Sequence, residues 1–357
     1  MNAFPEHISI NGQYLKVKEF IRGNHSAGHA KELAAFLEGW YGSEPYLEAT
    51  TSGSTGTPKI IKLEKEFVAE SAQRTINYFG LEKGDRVLHC LPTRYIAGKL
   101  MVVRALSGNL KLYTAAPETD FSFLQKEKFH FSAMVPLQVS KILDSEPSPG
   151  AWLQNLDQLL IGGSALPHSL ETRLKNISTA CYSSYGMTET ATHIALRKIN
   201  GDEADDYYHC FEGIKVQLSE KGCLQIFMPG LREQPLTTTD LAEVLNENTF
   251  RILGRADHVI ISGGIKFSPE QLERKLEPFI NEAFIVSSLP HNKLGRQLVL
   301  LVEGTENREE AESIQEICRK KLTRYEQPRE IIFVKEIPLT SNGKPLRNQI
   351  SGAGEKQ

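Results

Sequence analysis

Residues 85–190 alternate short apolar runs with longer amphipathic stretches. Apolar runs that end at proline, glycine or polar residues predict strands at Arg86–Leu91, Leu110–Tyr113, Phe131–Val135, Leu156–Ile161 and Ala180–Ser183. Stretches with helical spacing predict helices between them at Gly98–Leu106, Phe121–Lys128, Leu137–Leu143 and Pro167–Leu174. This alternation predicts a mostly parallel sheet covered by helices, which is the α/β class.

The pattern changes character after residue 210. Short strand-like runs separated by turn residues cover Gly213–Leu218, Cys223–Met228 and Thr249–Leu253. They predict an antiparallel β region attached to the same core. Residues 1–255 are therefore predicted to form one large N-terminal domain with a β subdomain.

A smaller α+β domain is predicted for residues 256–357. His258–Ser262 has the pattern of a strand that runs into Gly263-Gly264. Ser268 and Pro269 predict a helix start, with Ser268 as its cap and Gln271 at the capping-box position. Further strands are predicted at Ala283–Ser288, Gln297–Val302 and Glu330–Val334, and an amphipathic helix at Asn307–Leu322.

The composition of the 357 residues, with 40% hydrophobic and 24% charged side chains, is that of a globular protein with a sizeable core. A net charge of −3 gives no global attraction to nucleic acid or to an anionic membrane. No apolar run is long enough to span a bilayer, and no signal peptide is visible. The five cysteines include no Cys-x-x-Cys pair, so we expect no zinc site and predict reduced thiols in a cytoplasmic protein.

Residues 51–59 concentrate hydroxyls, glycines and one lysine, in the order Thr51, Ser52, Gly53, Ser54, Thr55, Gly56, Thr57, Pro58 and Lys59. Such a loop can surround a polyphosphate with backbone N–H groups, hydroxyls and a point charge. It does not have the Walker A spacing, because Lys59 follows Pro58 and precedes Ile60. A flexible linker would have a similar composition, but the ordered mixture of residues and the terminal Pro58-Lys59 favour phosphate binding.

The loop and the order of the elements behind it resemble the adenylate-forming superfamily of acyl-CoA ligases, peptide-synthetase adenylation domains and beetle luciferases. The resemblance covers Leu47 to Arg347. It implies that the chain activates a carboxylic acid with ATP and then passes the acyl group to coenzyme A. The ATP phosphates would lie against Thr51, Ser52, Gly53, Ser54, Thr55, Gly56, Thr57 and Lys59.

Two segments at predicted strand ends carry further parts of the resemblance. Tyr185-Gly186-Met187-Thr188-Glu189-Thr190 matches the family segment in which Glu189 would hold Mg²⁺ and Thr188 would contact the α-phosphate. Tyr185 and Gly186 would border ATP. Gly162, Gly163 and Ser164 match a strip that lines the adenine and acyl pockets. Without the resemblance, both segments are ordinary turns after strands.

Later residues match the family in the same order along the chain. Asp240 and Arg255 would bind the ribose and phosphate, and Asp257 would be the hinge before the small domain, which the family uses as a mobile unit. Gly263 and Gly264 would border the tunnel for the thiol. Lys344 would be the lysine that stabilises charge during adenylation.

The segment Leu91–Gly98 departs from the family, because Arg94 and Tyr95 replace the usual aromatic-histidine pair. Arg94, Lys99 and Arg104 would bring positive charge near the acyl pocket. Arg104 matches a basic position of the o-succinylbenzoate–CoA ligases of menaquinone biosynthesis, which handle a dicarboxylate. Only about fifty residues precede the phosphate loop, and a short first subdomain also occurs in that group.

Three other functions remain open at this level. The chain could be another aryl- or acyl-CoA ligase, an adenylating enzyme that loads a carrier protein, or a non-catalytic nucleotide-binding protein. A P-loop phosphotransferase is disfavoured by the failed Walker spacing. The predicted partners are a small carboxylic acid, ATP, Mg²⁺ and coenzyme A, without nucleic acid or membrane, and the sequence leaves open whether the chain forms a homo-oligomer.

Overall fold

The structure is a computed structural model that describes residues 4–25, 28–50, 59–117, 121, 127–145 and 150–338. The backbone divides into two compact units, Met1–Ile214 with Pro229–Arg232, and Lys215–Met228 with Glu233–Gln357. The domain boundary at residue 256 stays a prediction. None of the helices in the described ranges has the length and apolar character needed to cross a bilayer.

The first unit is built on a sheet in which six neighbouring strands are parallel. Its strands are β1 His7–Ile10, β2 Gln13–Lys16, β3 Tyr46–Thr50, β4 Ile60–Glu64, β5 Arg86–His89, β6 Lys111–Thr114, β7 Phe129–Met134, β8 Leu156–Ile161, β9 Ala180–Gly186, β10 His193–Lys198 and β11 Tyr208–Cys210. Its helices are α1 Val17–Arg22, α2 Gly28–Tyr41, α3 Lys65–Phe79, α4 Ile96–Ser107, α5 Pro136–Asp144 and α6 His168–Leu174.

The sheet order in this unit is β11-β10-β9-β8-β7-β5-β6-β1-β2, and β3 and β4 form a separate hairpin. The strands β9, β8, β7, β5, β6 and β1 are parallel, while β2, β10 and β11 pair antiparallel at the two ends. The predicted mostly parallel sheet is thus confirmed. β8 has the predicted bounds, and the predicted helix Phe121–Lys128 lies largely outside the described residues.

The apolar faces of these elements meet in a core that includes Phe129, Leu159, Ile161, Val139 and Leu174, all buried. Burial of such side chains stabilises the fold by about 1.5–3 kcal/mol each. The five cysteines are free thiols, as predicted, and burial raises the pKa of Cys90 and of Cys181 to about 12.

The second unit contains a meander and a smaller three-stranded sheet. Its elements are β12 Lys215–Leu218, β13 Cys223–Phe227, β14 Leu236–Asn246, β15 Thr249–Arg255, β16 Ile260–Ser262, β17 Ile265–Phe267, α7 Pro269–Leu276, β18 Phe284–His291, β19 Gly295–Glu303, α8 Arg308–Lys321 and β20 Glu330–Val334. The strands β12 to β15 pair antiparallel in sequence order, as predicted for this region. β18 and β19 are antiparallel, and β20 joins β19 in parallel.

The helices α7 and α8 cover the small sheet. Ile314 and Cys318 of α8 are buried in the core of this unit, and Ile317 packs against it, as the amphipathic pattern predicted. Asn307 caps α8 by accepting hydrogen bonds from Glu309 and Glu310. The cap satisfies two N–H groups of the first turn, and the apolar face holds α8 against the core of this unit.

The predicted capping role of the Ser268 side chain is wrong. Ser268 does occupy the position before α7, and Pro269 begins the helix, but no side-chain capping bond forms. The Ser268 hydroxyl instead lies 3.2 Å from Glu270 Oε2 and 3.4 Å from the Leu253 carbonyl oxygen. The rotamer that places the Ser268 hydroxyl against these two acceptors carries its oxygen away from the N–H groups of the first turn of α7.

His89 ends β5 fully buried, with the centre of its ring 4.9 Å from that of His29. Burial lowers the pKa of His89 to about 3, so the folded state keeps a neutral ring where an unfolded chain would take up a proton. Below the unfolded pKa of about 6.5, the free energy of unfolding should therefore decrease as the pH is lowered. For this histidine the decrease approaches about 1.4 kcal/mol per pH unit.

The expected result for His89→Leu is a flatter pH dependence of stability between pH 6.5 and 5, measured by denaturant unfolding. A slope equal to that of the unsubstituted protein would contradict the neutral, buried state of His89.

Candidate active site

The segments that follow β8 and β9 leave the sheet at the same edge. These strands are parallel neighbours, and the Gly162 N–H donates to the Met134 carbonyl at the end of β7 over 3.0 Å. The Ser184 hydroxyl donates to the Ile161 carbonyl over 3.1 Å, which joins β9 to the end of β8. The carboxyl edge of such a sheet is the usual place for ligands, so the sequence-predicted Gly162, Gly163 and Ser164 follow a strand that ends there.

Two glycines at this edge allow a close approach that a side chain would prevent. A Cβ at Gly162 would lie 2.2 Å from Ser184 Oγ, and a Cβ at Gly186 would lie 2.3 Å from the Thr192 carbonyl oxygen. The clash at Gly186 is with backbone, which cannot rotate away. Glycine at these positions is thus a condition for the packing of the edge.

Thr188, Glu189 and Thr190 form a short 3₁₀ turn directly after β9. The buried Thr190 hydroxyl accepts from the Met187 N–H over 3.1 Å and lies 2.6 Å from the Thr192 carbonyl oxygen. The turn is therefore held from within, while the Glu189 side chain is exposed and Thr188 is half-buried. Tyr185, at the end of β9, packs on Tyr208 with 5.9 Å between ring centres.

The residues at this turn fit a magnesium ion held jointly with a nucleotide. Within the described residues, no three histidine, cysteine, aspartate or glutamate side chains converge on a protein-only metal site. Mg²⁺ commonly binds one or two carboxylates together with substrate phosphates and water. One exposed carboxylate, Glu189, at the ligand-binding edge of the sheet is the donor that such an arrangement requires.

Arg104, on α4, is 2% exposed. Its Nη2 donates to Thr192 Oγ1 over 3.4 Å, and its guanidinium carbon lies 6.0 Å from the centre of the Phe131 ring. Its Nε is buried without a hydrogen-bond partner, and no carboxylate of the described residues forms an ion pair with it. Burial lowers the pKa of Arg104 to about 9.

The two other cations predicted near the acyl pocket have different surroundings from Arg104. Arg94 is exposed, forms a 2.9 Å ion pair with Glu32 and stacks on Tyr95. Lys99 lies 5.7 Å from the centre of the Phe36 ring, and its pKa is lowered by burial. A helix places side chains at positions 99 and 104 on different faces, so the three cations do not form one cluster.

In the second unit, Asp240, Arg255 and Asp257 form one charged group. Asp240 and Arg255 are cross-strand neighbours on β14 and β15, with 3.4 Å between Arg255 Nη1 and Asp240 Oδ1. Arg255 also binds Asp257 through two bonds of 2.9 and 2.8 Å. The Asp257 carboxylate raises the pKa of Arg255, and the Arg255 guanidinium lowers the pKa of Asp257, so this pair is charged at neutral pH.

Gly263 and Gly264 form the two-residue turn between β16 and β17, where both φ angles are positive. Such a turn matches the twist of a hairpin and favours glycine at both positions. The Gly263 N–H donates to the Leu294 carbonyl over 3.0 Å, which joins this turn to the β18–β19 connection. The predicted strand at 258–262 is therefore half of a hairpin whose second strand, β17, the pattern did not indicate.

Lys59 is exposed immediately before β4. Thr51, Ser52, Gly53, Ser54, Thr55, Gly56 and Thr57 lie in the chain segment between β3 and β4, outside the described residues. Lys344 also lies outside them. The assignment of these residues to ATP and to catalysis stays a prediction.

Two polar residues near Arg104 had no place in the sequence prediction: Thr192, which Arg104 contacts, and His193, which contacts Thr192. Thr192 and His193 follow the Thr188–Thr190 turn closely, and that proximity is the one local signal that could have indicated them.

Comparisons with known proteins agree with this architecture. The family described as AMP-binding enzyme matches residues 42–214, and the AMP-binding enzyme C-terminal domain matches residues 276–344. An acyl-CoA synthetase (AMP-forming)/AMP-acid ligase II-like protein from Dyadobacter fermentans has a similar structure, with a TM-score of 0.63 and 33% identity, over 94% of this chain and 96% of that one.

Two further proteins are similar at lower identity. The 2-succinylbenzoate–CoA ligase of Lactococcus lactis is 24% identical over 324 residues, which is 85% of this chain and 70% of that protein. The o-succinylbenzoate coenzyme A synthetase of Bacillus subtilis, solved with ATP and a magnesium ion, has a TM-score of 0.70 and 20% identity, over 85% of this chain and 69% of that one. At 20% identity, the similarity to the Bacillus subtilis enzyme shows the fold alone.

The chain belongs to the AMP-binding family of adenylate-forming enzymes. Within that family it is an acid–thiol ligase of the AMP-forming acyl-CoA synthetase type.

Proposed function

We propose that the acid is o-succinylbenzoate and that the product is o-succinylbenzoyl-CoA, an intermediate of menaquinone biosynthesis. The observation that carries this proposal is the buried guanidinium of Arg104, which has no carboxylate partner among the described residues. The relatives named as 2-succinylbenzoate–CoA ligases support the same acid.

The energetic cost of a buried charge without a partner supports a substrate that carries a second carboxylate. An ionised side chain buried without a counter-charge costs several kcal/mol, even after the surroundings relax. A dicarboxylic substrate would supply the missing charge, because one carboxylate reacts and the other can pair with Arg104. Guanidinium and carboxylate groups match in shape and form two parallel hydrogen bonds, which gives geometric specificity.

The proposed reaction has two steps. A carboxylate oxygen of the acid attacks the α-phosphorus of ATP, the bond from that phosphorus to the bridging oxygen breaks, and pyrophosphate leaves. The sulfur of coenzyme A then attacks the acyl carbon of the adenylate, the bond from that carbon to the phosphate oxygen breaks, and AMP leaves. The thiol proton passes to solvent.

The residues have distinct proposed roles in these steps. Thr188 would orient the α-phosphate, Asp240 and Arg255 would hold the ribose, and Lys344 would stabilise the charge that develops during adenylation. Glu189 would hold Mg²⁺, which offsets the charge of the departing pyrophosphate. Adenylation and thiolysis would use different arrangements of the small domain around Asp257, with Gly263 and Gly264 bordering the thiol path.

A panel of acids tests the proposal directly. Pyrophosphate release is measured with o-succinylbenzoate, simple aryl acids, indoleacetate and fatty acids, each with and without coenzyme A. We expect o-succinylbenzoate to give the highest kcat/KM, and coenzyme A to yield the thioester with AMP. A preference for a monocarboxylate would refute o-succinylbenzoate as the substrate. Formation of the adenylate without any thioester of coenzyme A would favour an enzyme that loads a carrier protein.

A further inference from the structure

A group of polar and aromatic side chains packs beside Tyr185, at the end of β9. Ser183 and Tyr185 are two positions apart on this strand, so their side chains lie on the same face of the sheet. Arg197 of β10 is the cross-strand partner of Ser183, and Tyr208 is the first residue of β11, which pairs with β10. The register therefore brings Ser183, Arg197 and Tyr208 into one row across three neighbouring strands.

Tyr208 contacts both Ser183 and Tyr185. Its hydroxyl oxygen lies 2.9 Å from Ser183 Oγ, and the centre of its ring lies 5.9 Å from that of Tyr185. The two rings are tilted by 57°, at a separation typical of favourable aromatic pairs. Ser183 is buried, so the bond to its hydroxyl anchors Tyr208 to the strand that carries Tyr185. The anchored ring of Tyr208 limits the orientations that the Tyr185 ring can adopt.

A buried ion pair fixes the strand segment from which Tyr208 extends. Nη1 and Nη2 of the buried Arg197 donate to the two carboxylate oxygens of Glu171 over 2.8 and 2.7 Å. Arg197 Nη1 also donates to the Asp205 carbonyl over 3.3 Å, and the Asp205 carboxylate accepts from the Tyr207 N–H over 3.2 Å. The Arg197 guanidinium carbon lies 5.9 Å from the centre of the Tyr208 ring. Bidentate pairs fix geometry as well as charge, so these contacts hold Tyr208 in place.

Glu171 connects this network to the other side of Tyr185. It lies on α6, the helix that follows the segment Gly162-Gly163-Ser164. β8 ends at Ile161 and pairs in parallel with β9, so this segment leaves the sheet next to Tyr185. The two glycines have no side chains that could cover the ring. Tyr208 thus reaches the Tyr185 ring from the β11 side, and the β8 side has a segment with little side-chain bulk.

A flat aromatic side chain next to such a segment suits a planar ligand group. Stacking of a nucleic-acid base on an aromatic ring contributes substantially to binding, and a ring that is already held in one orientation avoids the entropy loss of ordering. An AMP-forming ligase binds adenine as part of ATP. Thr188 and Glu189, the residues proposed for the α-phosphate and Mg²⁺, closely follow Tyr185, which favours the adenine of ATP over that of coenzyme A.

We infer that Tyr208 is a positioning residue for the nucleotide, because it holds the Tyr185 ring in the orientation that stacks on the adenine of ATP. The Ser183 hydroxyl anchors Tyr208, and the ion pair of Glu171 with Arg197 holds the strand from which Tyr208 extends. The inference rests on the proposed function in placing ATP beside Tyr185, and it does not depend on which acid is activated.

The first experiment measures KM for each substrate in Tyr208→Leu and Tyr208→Phe. We expect Tyr208→Leu to raise KM for ATP about three- to tenfold, the usual contribution of an aromatic pair, with KM for the acid and for coenzyme A unchanged. Tyr208→Phe keeps the ring and should give a smaller rise. The Kd of AMP, measured by calorimetry, should rise by the same factor as KM for ATP, whereas KM for pyrophosphate in the reverse reaction should stay the same.

Three results of this experiment would overturn the inference. An equal rise in KM for every substrate would assign Tyr208 a general structural role. A rise for the acid alone would place the Tyr185 ring against the acid. An unchanged KM for ATP in correctly folded Tyr208→Leu would show that Tyr208 does not act on the nucleotide.

The second experiment tests the bond between Tyr208 and Ser183. Tyr208→Phe and Ser183→Ala each remove one partner, so each should raise the Kd of AMP by a similar factor, and the double variant should show no larger effect than either. The matched control is Tyr182→Phe, which removes a hydroxyl from the opposite face of β9 and should leave the Kd of AMP unchanged. Effects that multiply in the double variant would contradict a positioning role that acts through this bond.

Tyr185→Leu separates this inference from the proposed function. If Tyr185→Leu raises KM for ATP and Tyr208→Leu does not, the placement of ATP stands and the positioning role fails. If neither variant raises it, the placement of ATP fails as well. If the unsubstituted enzyme prefers another acid, o-succinylbenzoate is refuted, and the same measurements made with the preferred acid still test Tyr208.

Discussion

Replacing Lys344 with alanine is expected to slow formation of the acyl-adenylate by about 10²–10³-fold, the usual effect of removing one preorganised charge stabiliser. The family resemblance gives this lysine a role in adenylation alone. Thiolysis of a supplied acyl-adenylate by coenzyme A should therefore continue at nearly the rate of the unsubstituted enzyme. Pyrophosphate release measures the first step, and thioester formation from synthetic adenylate measures the second.

The design of this test uses a lysine of the same domain as its control. Lys335 is exposed shortly after β20, and Lys335→Ala should leave both steps unchanged. Lys344→Arg keeps the charge with a different shape, so its rate of acyl-adenylate formation should lie between those of Lys344→Ala and the unsubstituted enzyme. Equal loss of both steps in Lys344→Ala would rule out the assigned role and indicate a general effect on folding or binding.

Arg104→Ala has the second largest expected effect. It should raise KM for o-succinylbenzoate by about 10–100-fold, because hydrogen bonds to charged groups contribute roughly 1.5–3 kcal/mol. KM for ATP should change little, because Arg104 is not among the residues proposed to contact the nucleotide. Initial rates at varied acid and fixed ATP give KM for the acid, and initial rates at varied ATP and fixed acid give KM for ATP.

Folding must be checked alongside, because Arg104 is fully buried and contacts Thr192 and Met101. Arg104→Lys keeps a charge without the planar fork and should give an intermediate KM. Far-ultraviolet circular dichroism and thermal unfolding identify variants that have lost the fold. A correctly folded Arg104→Ala with an unchanged KM for the acid would remove the observation on which the choice of acid depends.

The sequence predicted many elements of the fold because their signals are local. β8 and β20 have the predicted bounds, since each is a run rich in apolar residues that ends at turn residues. Polar or short strands were missed, among them β14, which contains consecutive threonines, and β10, which carries a histidine, an arginine and a lysine. Their strand character depends on neighbours that pair with them, and a local pattern does not contain that information.

The sequence also predicted residues of the candidate site, but the surroundings of each side chain had to come from the structure. Glu189, Asp240 and Arg255 were predicted from segments that match the family, and the described structure shows the pairing of Asp240 with Arg255 and Asp257. Arg94, Lys99 and Arg104 were predicted together because they are close in sequence. Burial separates them, since Arg94 is exposed beside Glu32, whereas Arg104 is buried and donates to Thr192.

The sequence by itself determined the α/β class, the alternation of strands and helices in residues 85–190 and the family, because apolar periodicity and ordered segments are properties of the chain alone. Tertiary structure decided which charges lack partners. Arg104 donates to Thr192, 88 positions further along the chain, and Thr192 in turn contacts His193. The energy of a charge depends on its surroundings in space, so the burial of Arg104 arises only when α4 packs against the rest of its unit.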